Sequence, residues 1–255
     1  YAEGETLVTE PAPTRDHTER MLNGFGYEVE RKGSDASLQG GGQLSGGKID
    51  VPADISSAAF FMVAASITPG ADLTLVHVGL NPTRVGVINI LRQMGADIEI
   101  VNESTVGGEP VGDIHVKYAE LHGIAIPEDQ VPLAIDEFPV LFIAAVCASG
   151  ETILSGAEEL RVKESDRIQV MADGLAQLGV RTDVRPDGIV IKSSPIGGGV
   201  VHSHGDHRIA MAFAVASLRA NDNITIKDCA NVATSFPNFV DLAKHVGMQI
   251  QVEEV

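Results

Sequence analysis

Three segments of the chain are apolar at nearly every position: SSAAFFMVAAS from Ser56, EFPVLFIAAVCAS from Glu137 and HRIAMAFAVAS from His207. A helix without a polar stripe is buried on most sides, so the pattern predicts three internal helices. Asp54, Asp136 and Asp206 stand at their starts, placed as N-caps. After each helix comes a Thr-rich strand: DLTLVHV, ETILSG and NITIKD. A second, amphipathic helix follows and stops at Gly95, Gly179 or Gly247. Each unit then closes with an alternating strand: ADIEIV, VRTDV or MQIQVEE. The spacing from Asp to Gly is 41, 43 and 41 residues, which favours a structural repeat over the ordinary alternation of an α/β protein.

The opening segment fits the same grammar. Residues 5–9 alternate as a strand that Pro11 and Pro13 end. Thr14-Arg15-Asp16-His17-Thr18-Glu19 opens a helix with a capping-box-like arrangement, and Gly26 closes it. Tyr27-Glu28-Val29-Glu30 reads as a strand. Gly4 to Glu30 thus matches the second half of a fourth copy. Residues 33–47 are rich in Gly, Ser and Gln, which predicts a loop and a domain boundary.

The expected fold is α/β (α+β), with threefold repeated βαβαββ-like units. No unit buries its apolar helix alone, so the copies pack around a common centre, helices inside and sheets outside. The hairpin pattern RTDVRPDGIVIKSS implies antiparallel pairs within mixed sheets.

Composition narrows the function. The 255 residues, 44% of them hydrophobic, suffice for one large domain or two ordinary ones. A net charge of −17 repels nucleic acid and anionic lipid, so neither is an expected partner. Cys147 and Cys229 make no disulfide framework and suit a reduced, cytoplasmic setting. The longest apolar run, Phe138 to Ala148, is too short to span a membrane, and no secretion signal opens the chain. Tyr1-Ala2-Glu3-Gly4 reads like the middle of a longer sequence, so the first residue is expected to be a truncation or processing point.

Against that acidity, Leu160-Arg161-Val162-Lys163-Glu164-Ser165-Asp166-Arg167-Ile168 gathers three cations and two carboxylates. On a helix start, Lys163 and Arg167 fall one turn apart on one face. The cations sit where the helix dipole disfavours them, unless an anion docks there. The pattern serves a solvated helix start and an anion site equally. Asp136-Glu137 before Pro139 reads as a cap, or more sharply as a general base. His204-Gly205-Asp206-His207-Arg208 reads as a surface cap, although Arg208, opening an apolar helix, wants a partner that an anion would supply. There is no Walker A, H-E-x-x-H, C-x-x-C or G-x-S-x-G pattern. The glycine runs at 40–42 and 197–199 lack P-loop context and read as loops. Neither metal nor organic cofactor is expected.

LRVKESDR resembles the signature of the 5-enolpyruvylshikimate-3-phosphate synthase family. TRDHTERML, the NPTR ending at Arg84, IDEFP, GDHRIAM and the late TSFP stand in the same order as in that family. The resemblance implies an enolpyruvyl-transferase fold of two domains, each of three repeated units. Residues 1–50 would be a remnant of the first domain and 51–255 most of the second. It implies that phosphoenolpyruvate and shikimate-3-phosphate are substrates. Arg15 would help bind shikimate-3-phosphate. Asp136 would contact its hydroxyls and is a candidate base for the 5-hydroxyl. Lys163 would bridge the substrates, and Glu164 is a candidate acid–base group at the methylene carbon. Arg167 and Arg208 would bind the phosphoenolpyruvate anion. The reaction needs one group to take the hydroxyl proton and another to protonate and deprotonate carbon, with cations on the phosphates.

The chain departs from the family in two ways. Thr234-Ser235 stand before Phe236-Pro237, where many relatives have Lys. The family's amino-terminal Gly-Asp-Lys-Ser motif, Asn-Ala-Gly loop and Ser-Ala-Gln stretch are absent, which predicts a fragment inactive alone. The alternatives are the UDP-N-acetylglucosamine enolpyruvyl transferase, which shares the fold without LRVKESDR, and a non-catalytic binding module that kept the repeat.

Overall fold

The structure, a computed structural model, describes residues 2–10 and 14–253. Pro11 and Pro13, expected to end the first strand, lie outside the described residues, as does Glu254, the end of the last expected strand.

The opening segment forms β1 (Glu5–Thr9), α1 (His17–Gly24), β2 (Val29–Lys32) and β3 (Asp35–Gln39). The three strands make an antiparallel sheet in the order β1-β3-β2. The loop expected over 33–47 is corrected here, because Asp35–Gln39 is the central strand. Its residues gain ladder bonds on both edges, which outweighs a Ser- and Gln-containing composition. The capping box is also absent. Asp16 precedes α1 but makes no side-chain cap bond, because Arg20 and Asn81 hold its carboxylate.

Three units follow. The first comprises α2 (Ile55–Ile67), β4 (Asp72–Gly79), α3 (Gly86–Gln93), β5 (Asp97–Val106) and β6 (Glu109–Lys117). The second comprises α4 (Phe138–Cys147), β7 (Glu151–Leu154), α5 (Arg167–Gln177), β8 (Thr182–Arg185) and β9 (Gly188–Lys192). The third comprises β10 (Gly199–His202), α6 (His207–Ala216), β11 (Ile224–Lys227), α7 (Val232–Ser235) and α8 (Phe239–His245). The first two units carry antiparallel sheets of equivalent order, β4-β6-β5 and β7-β9-β8, whereas β10 and β11 pair in parallel. Single parallel bridges, Ala53 to Val78 and Ala125 to Ile153, extend the first two sheets, so they are mixed as expected. Residues 248–253 form no strand, against the reading of MQIQVEE. In the other units that strand pairs with a following one, and residues 248–253 have no such pairing.

The three apolar helices are the centre. Every residue of α2 except Ser57 is buried, as are Phe138 to Val146 of α4 and Ile209 to Ala216 of α6. Burying each large side chain there contributes about 1.5–3 kcal/mol, and the alternating strands cover the outside. The second helices end as the glycines predict: Gly95, Gly179 and Gly247 have φ of 93°, 82° and 98°, a region costly for any residue with a Cβ. Phe236 and Phe239 pack edge-on against Phe61 and Phe60, tying the third unit to the first unit's helix. Among the described residues, no helix is long and apolar enough to cross a membrane.

Candidate active site

The N-terminal ends of α2, α4 and α6 meet at one pole, and direct bonds show the convergence. Ser56 of α2 donates to Glu137, which precedes α4. Arg208 of α6 places Nη1 3.9 Å from Glu137 and Nη2 4.0 Å from Asp136. Two of the three aspartates are caps: Asp54 accepts from Ser57 N at 2.9 Å, and Asp206 from Arg208 N at 2.9 Å. Asp136 is not one, which corrects that reading. Helix α4 starts two residues later, with Pro139 in its first turn, and Asp136 turns to cations instead.

Arg167 is the hub. It is 0% exposed and opens α5. Its Nε donates to Asp206 Oδ2 at 2.9 Å, Nη1 to Asp136 Oδ1 at 3.3 Å and Nη2 to Glu164 Oε2 at 2.5 Å. A buried guanidinium is tolerated because three carboxylates meet its fork. Lys163 and Arg167 do not share a helical face. Residues Glu158–Val162 form a 3-10 turn, Lys163 is extended, and Asp166 caps α5 by accepting from Gln169 N at 3.0 Å. Lys163 nevertheless points inward, its Nζ 3.7 Å from Asp136 Oδ1 and bonded to Glu159. Glu164 leaves 53% of its side chain exposed beside the hub.

Asp136 therefore faces Arg15, Lys163, Arg167 and Arg208. Arg15 arrives from the segment before α1 and donates to Asp136 Oδ2. Burial works to raise the Asp136 pKa, but the Arg15 hydrogen bond and the charges of Arg208, Arg15 and Lys163 outweigh it. The carboxyl is held well below the usual range. Its neighbour behaves oppositely: burial pushes the Glu137 carboxyl above its ordinary value, against the Ser56 bond and Arg208. Burial, with the charge of Arg208, lowers the His207 imidazole.

All six predicted residues (Arg15, Asp136, Lys163, Glu164, Arg167 and Arg208) thus gather at one pole. Sequence reasoning missed Ser56 and Arg84 as participants, and singled out Glu137 only with Asp136 as a cap or general base. Arg84 donates to Asp54 at 2.9 Å and to Ser56 Oγ at 2.6 Å, completing a chain to Glu137. The available signal was a Ser-Ser pair in the first turn of an otherwise apolar helix. The short helix α7 holds Thr234 and Ser235. Asn231 just before it donates to Gly205 O at 2.5 Å, so α7 leans on the loop leading to Asp206. Chemically, the pole offers several cations for anions, an ionised carboxylate among them, and an exposed second carboxyl.

The family model described as EPSP synthase (3-phosphoshikimate 1-carboxyvinyltransferase) matches residues 1–242. A 3-phosphoshikimate 1-carboxyvinyltransferase of Methylococcus capsulatus is 67% identical over 252 residues, covering 99% of this chain and 58% of that protein. One from Legionella pneumophila is 57% identical over 251 residues, with 98% and 58% covered. The EPSP synthase structure from Acinetobacter baumannii superposes with a TM-score of 0.97 at 60% identity, covering 99% of this chain and 59% of that one. The enolpyruvyl transferase NikO from Streptomyces tendae, at 18% identity, shares the fold with a TM-score of 0.76 over 98% of this chain and 57% of its own. The chain spans somewhat over half the length of the curated relatives it matches.

Proposed function

The chain belongs to the EPSP synthase (3-phosphoshikimate 1-carboxyvinyltransferase) family, and on that premise we propose that it carries the second-domain half of an enolpyruvyl transfer site. The complete enzyme would move the enolpyruvyl group of phosphoenolpyruvate to the 5-hydroxyl of shikimate-3-phosphate and release phosphate, in the cytoplasm, within aromatic amino acid biosynthesis. Residues 1–50 are then the end of a first domain and 51–255 the second. Support for a neighbouring surface comes from β1, where Leu7 and Val8 are 59% and 56% exposed. The chain alone is expected to be inactive.

The observation that carries this reading is one carboxylate, Asp136, surrounded by Arg15, Lys163, Arg167 and Arg208 in a chain of net charge −17. Scarce cations concentrated around an acid suit small phosphorylated substrates. Arg15 takes the phosphorylated acceptor, and Lys163 bridges the two substrates. Arg208 takes phosphoenolpyruvate, and Arg167 reaches it by exchanging Glu164 or Asp136 while keeping Asp206. As phosphate and carboxylate draw these cations away, Asp136 regains basicity and accepts the 5-hydroxyl proton. Glu164, released by Arg167 and protonated from solvent at its exposed side, gives that proton to C3 while the oxygen bonds to C2 of phosphoenolpyruvate. In the second step C3 returns a proton to Glu164, the double bond re-forms and phosphate leaves, carrying the proton balance from Asp136. Binding and the proton transfers are assigned to this chain's side chains, and the remaining substrate contacts to the first domain.

The test is acceptor competition in the complete enzyme. Shikimate-3-phosphate is expected to be consumed with phosphoenolpyruvate while UDP-N-acetylglucosamine is untouched. Consumption of the UDP-sugar would assign the homologous transferase instead, and consumption of neither would favour a non-catalytic module.

A further inference from the structure

We propose that Asn81 is a positioning residue that sets Arg15 against Asp136. Arg15 lies two residues before α1, next to Asp16, and what anchors that helix start is Asn81. This side chain is neutral and 2% exposed. Its Nδ2 donates to Asp16 Oδ1 at 2.7 Å and to Glu109 Oε2 at 3.0 Å. Its Oδ1 accepts from Thr83 N at 2.8 Å and Thr83 Oγ1 at 2.7 Å. The amide thus spends both donor hydrogens and both lone pairs, and it bridges two carboxylates from different elements. Glu109 in turn meets His17 Nδ1 at 2.7 Å, so two side chains of the α1 start are tied to β6, Asp16 through the Asn81 amide and His17 directly. The approach is close: a Cβ on Gly24 would lie 2.7 Å from Gly107 O, and one on Gly108 2.8 Å from Arg20 O. Helix α1 therefore seats directly on the β5–β6 turn.

Asn81 also opens a turn that runs to Arg84. Asn81 O accepts from Arg84 N at 2.8 Å, and Arg84 reaches Ser56, which holds Glu137 beside Asp136. One four-residue bracket, Asn81 to Arg84, thus holds the chain neighbours of both partners in the Arg15–Asp136 contact: Asp16 directly, and Glu137 through Ser56. Only the Asn81 arm is proposed as the positioning device, because it carries no charge. An effect of replacing it on Asp136 is therefore not a direct Coulomb interaction, and an Arg15→Ala background separates the route through Arg15 from the route through Arg84 and Ser56. The inference rests on the reading of Arg15 as a ligand for the phosphorylated acceptor.

The test uses the complete enzyme with Asn81→Ala, and Asn81→Ser should the first variant fold poorly. The Asp136 carboxyl is titrated by carbon NMR without substrate, and its pKa is expected to move up toward the ordinary value. The KM for shikimate-3-phosphate is expected to rise about tenfold, with that for phosphoenolpyruvate nearly unchanged. In an Arg15→Ala background the same replacement is expected to change neither quantity. A carboxyl titration that does not move, or an effect that persists undiminished without Arg15, overturns the positioning role. A titration that moves while the shikimate-3-phosphate KM does not leaves the positioning role standing and overturns the substrate assignment of Arg15.

Discussion

Arg15 and Asp136 lie 121 residues apart in the chain, and the Arg15 guanidinium donates directly to the Asp136 carboxylate. That contact joins the opening segment to the central helices at the site itself. Arg15→Ala is expected to raise the Asp136 pKa toward 3.8, because the hydrogen bond that depresses it is gone. Its depressed folded value means Asp136 contributes stability that is present above 3.8 and lost as pH falls toward the folded value. Acid unfolding of Arg15→Ala, followed from pH 5 downward, should therefore show a shallower loss of stability than the wild type.

Glu137 predicts the opposite slope. Its folded pKa is raised above 4.5, so the stability it contributes is fully present below 4.5 and is lost as pH rises through the folded value. Glu137→Gln removes this titration. Urea unfolding at pH 4.5 and pH 7.5 should show the variant gaining on the wild type as pH rises. A constant difference would mean that the Glu137 pKa is the same in the folded and unfolded chain.

Arg167 meets three carboxylates while 0% exposed. Replacing it by Leu leaves Asp206 and Asp136 without their buried cation. The expected loss is about 3–5 kcal/mol in urea unfolding, because broken buried pairs strand an uncompensated charge. Lys, with no fork, should recover only part of it.

Gly174 lets α5 lie against α6. A Cβ there would sit 2.2 Å from Phe213 Cζ, and Phe213 is itself 0% exposed. Gly174→Ala should destabilise by about 1–3 kcal/mol, as overpacking does. Phe213→Leu in the same chain should relieve part of that cost, which a double-mutant cycle of unfolding free energies would show.

These cases mark how far the sequence could be read. The buried helices were legible because α2, α4 and α6 lack any polar face, and the closing glycines because φ near +90° excludes most residues. Asp35–Gln39 was not, since its strand character comes from two neighbouring strands and not from its own residues. Asp136 looked like Asp54 and Asp206 in the repeat, yet its role depends on Arg15, far away in sequence. The gathering of Lys163 and Arg167 was foreseen, but not the way it occurs: a 3-10 turn and an extended Lys163 replace the shared helical face. Arg84 and Ser56 were invisible as partners because a hydrogen bond between distant segments leaves no local pattern.

The central claim is that Asp136, relieved of its cations by substrate, takes the proton from the attacking hydroxyl. Asp136→Asn keeps the shape and the ability to accept hydrogen bonds but removes the base. Steady-state phosphate release by the complete enzyme, with saturating shikimate-3-phosphate and phosphoenolpyruvate, tests the claim most directly. The account predicts that kcat falls by about a hundredfold or more; an unchanged kcat would contradict it.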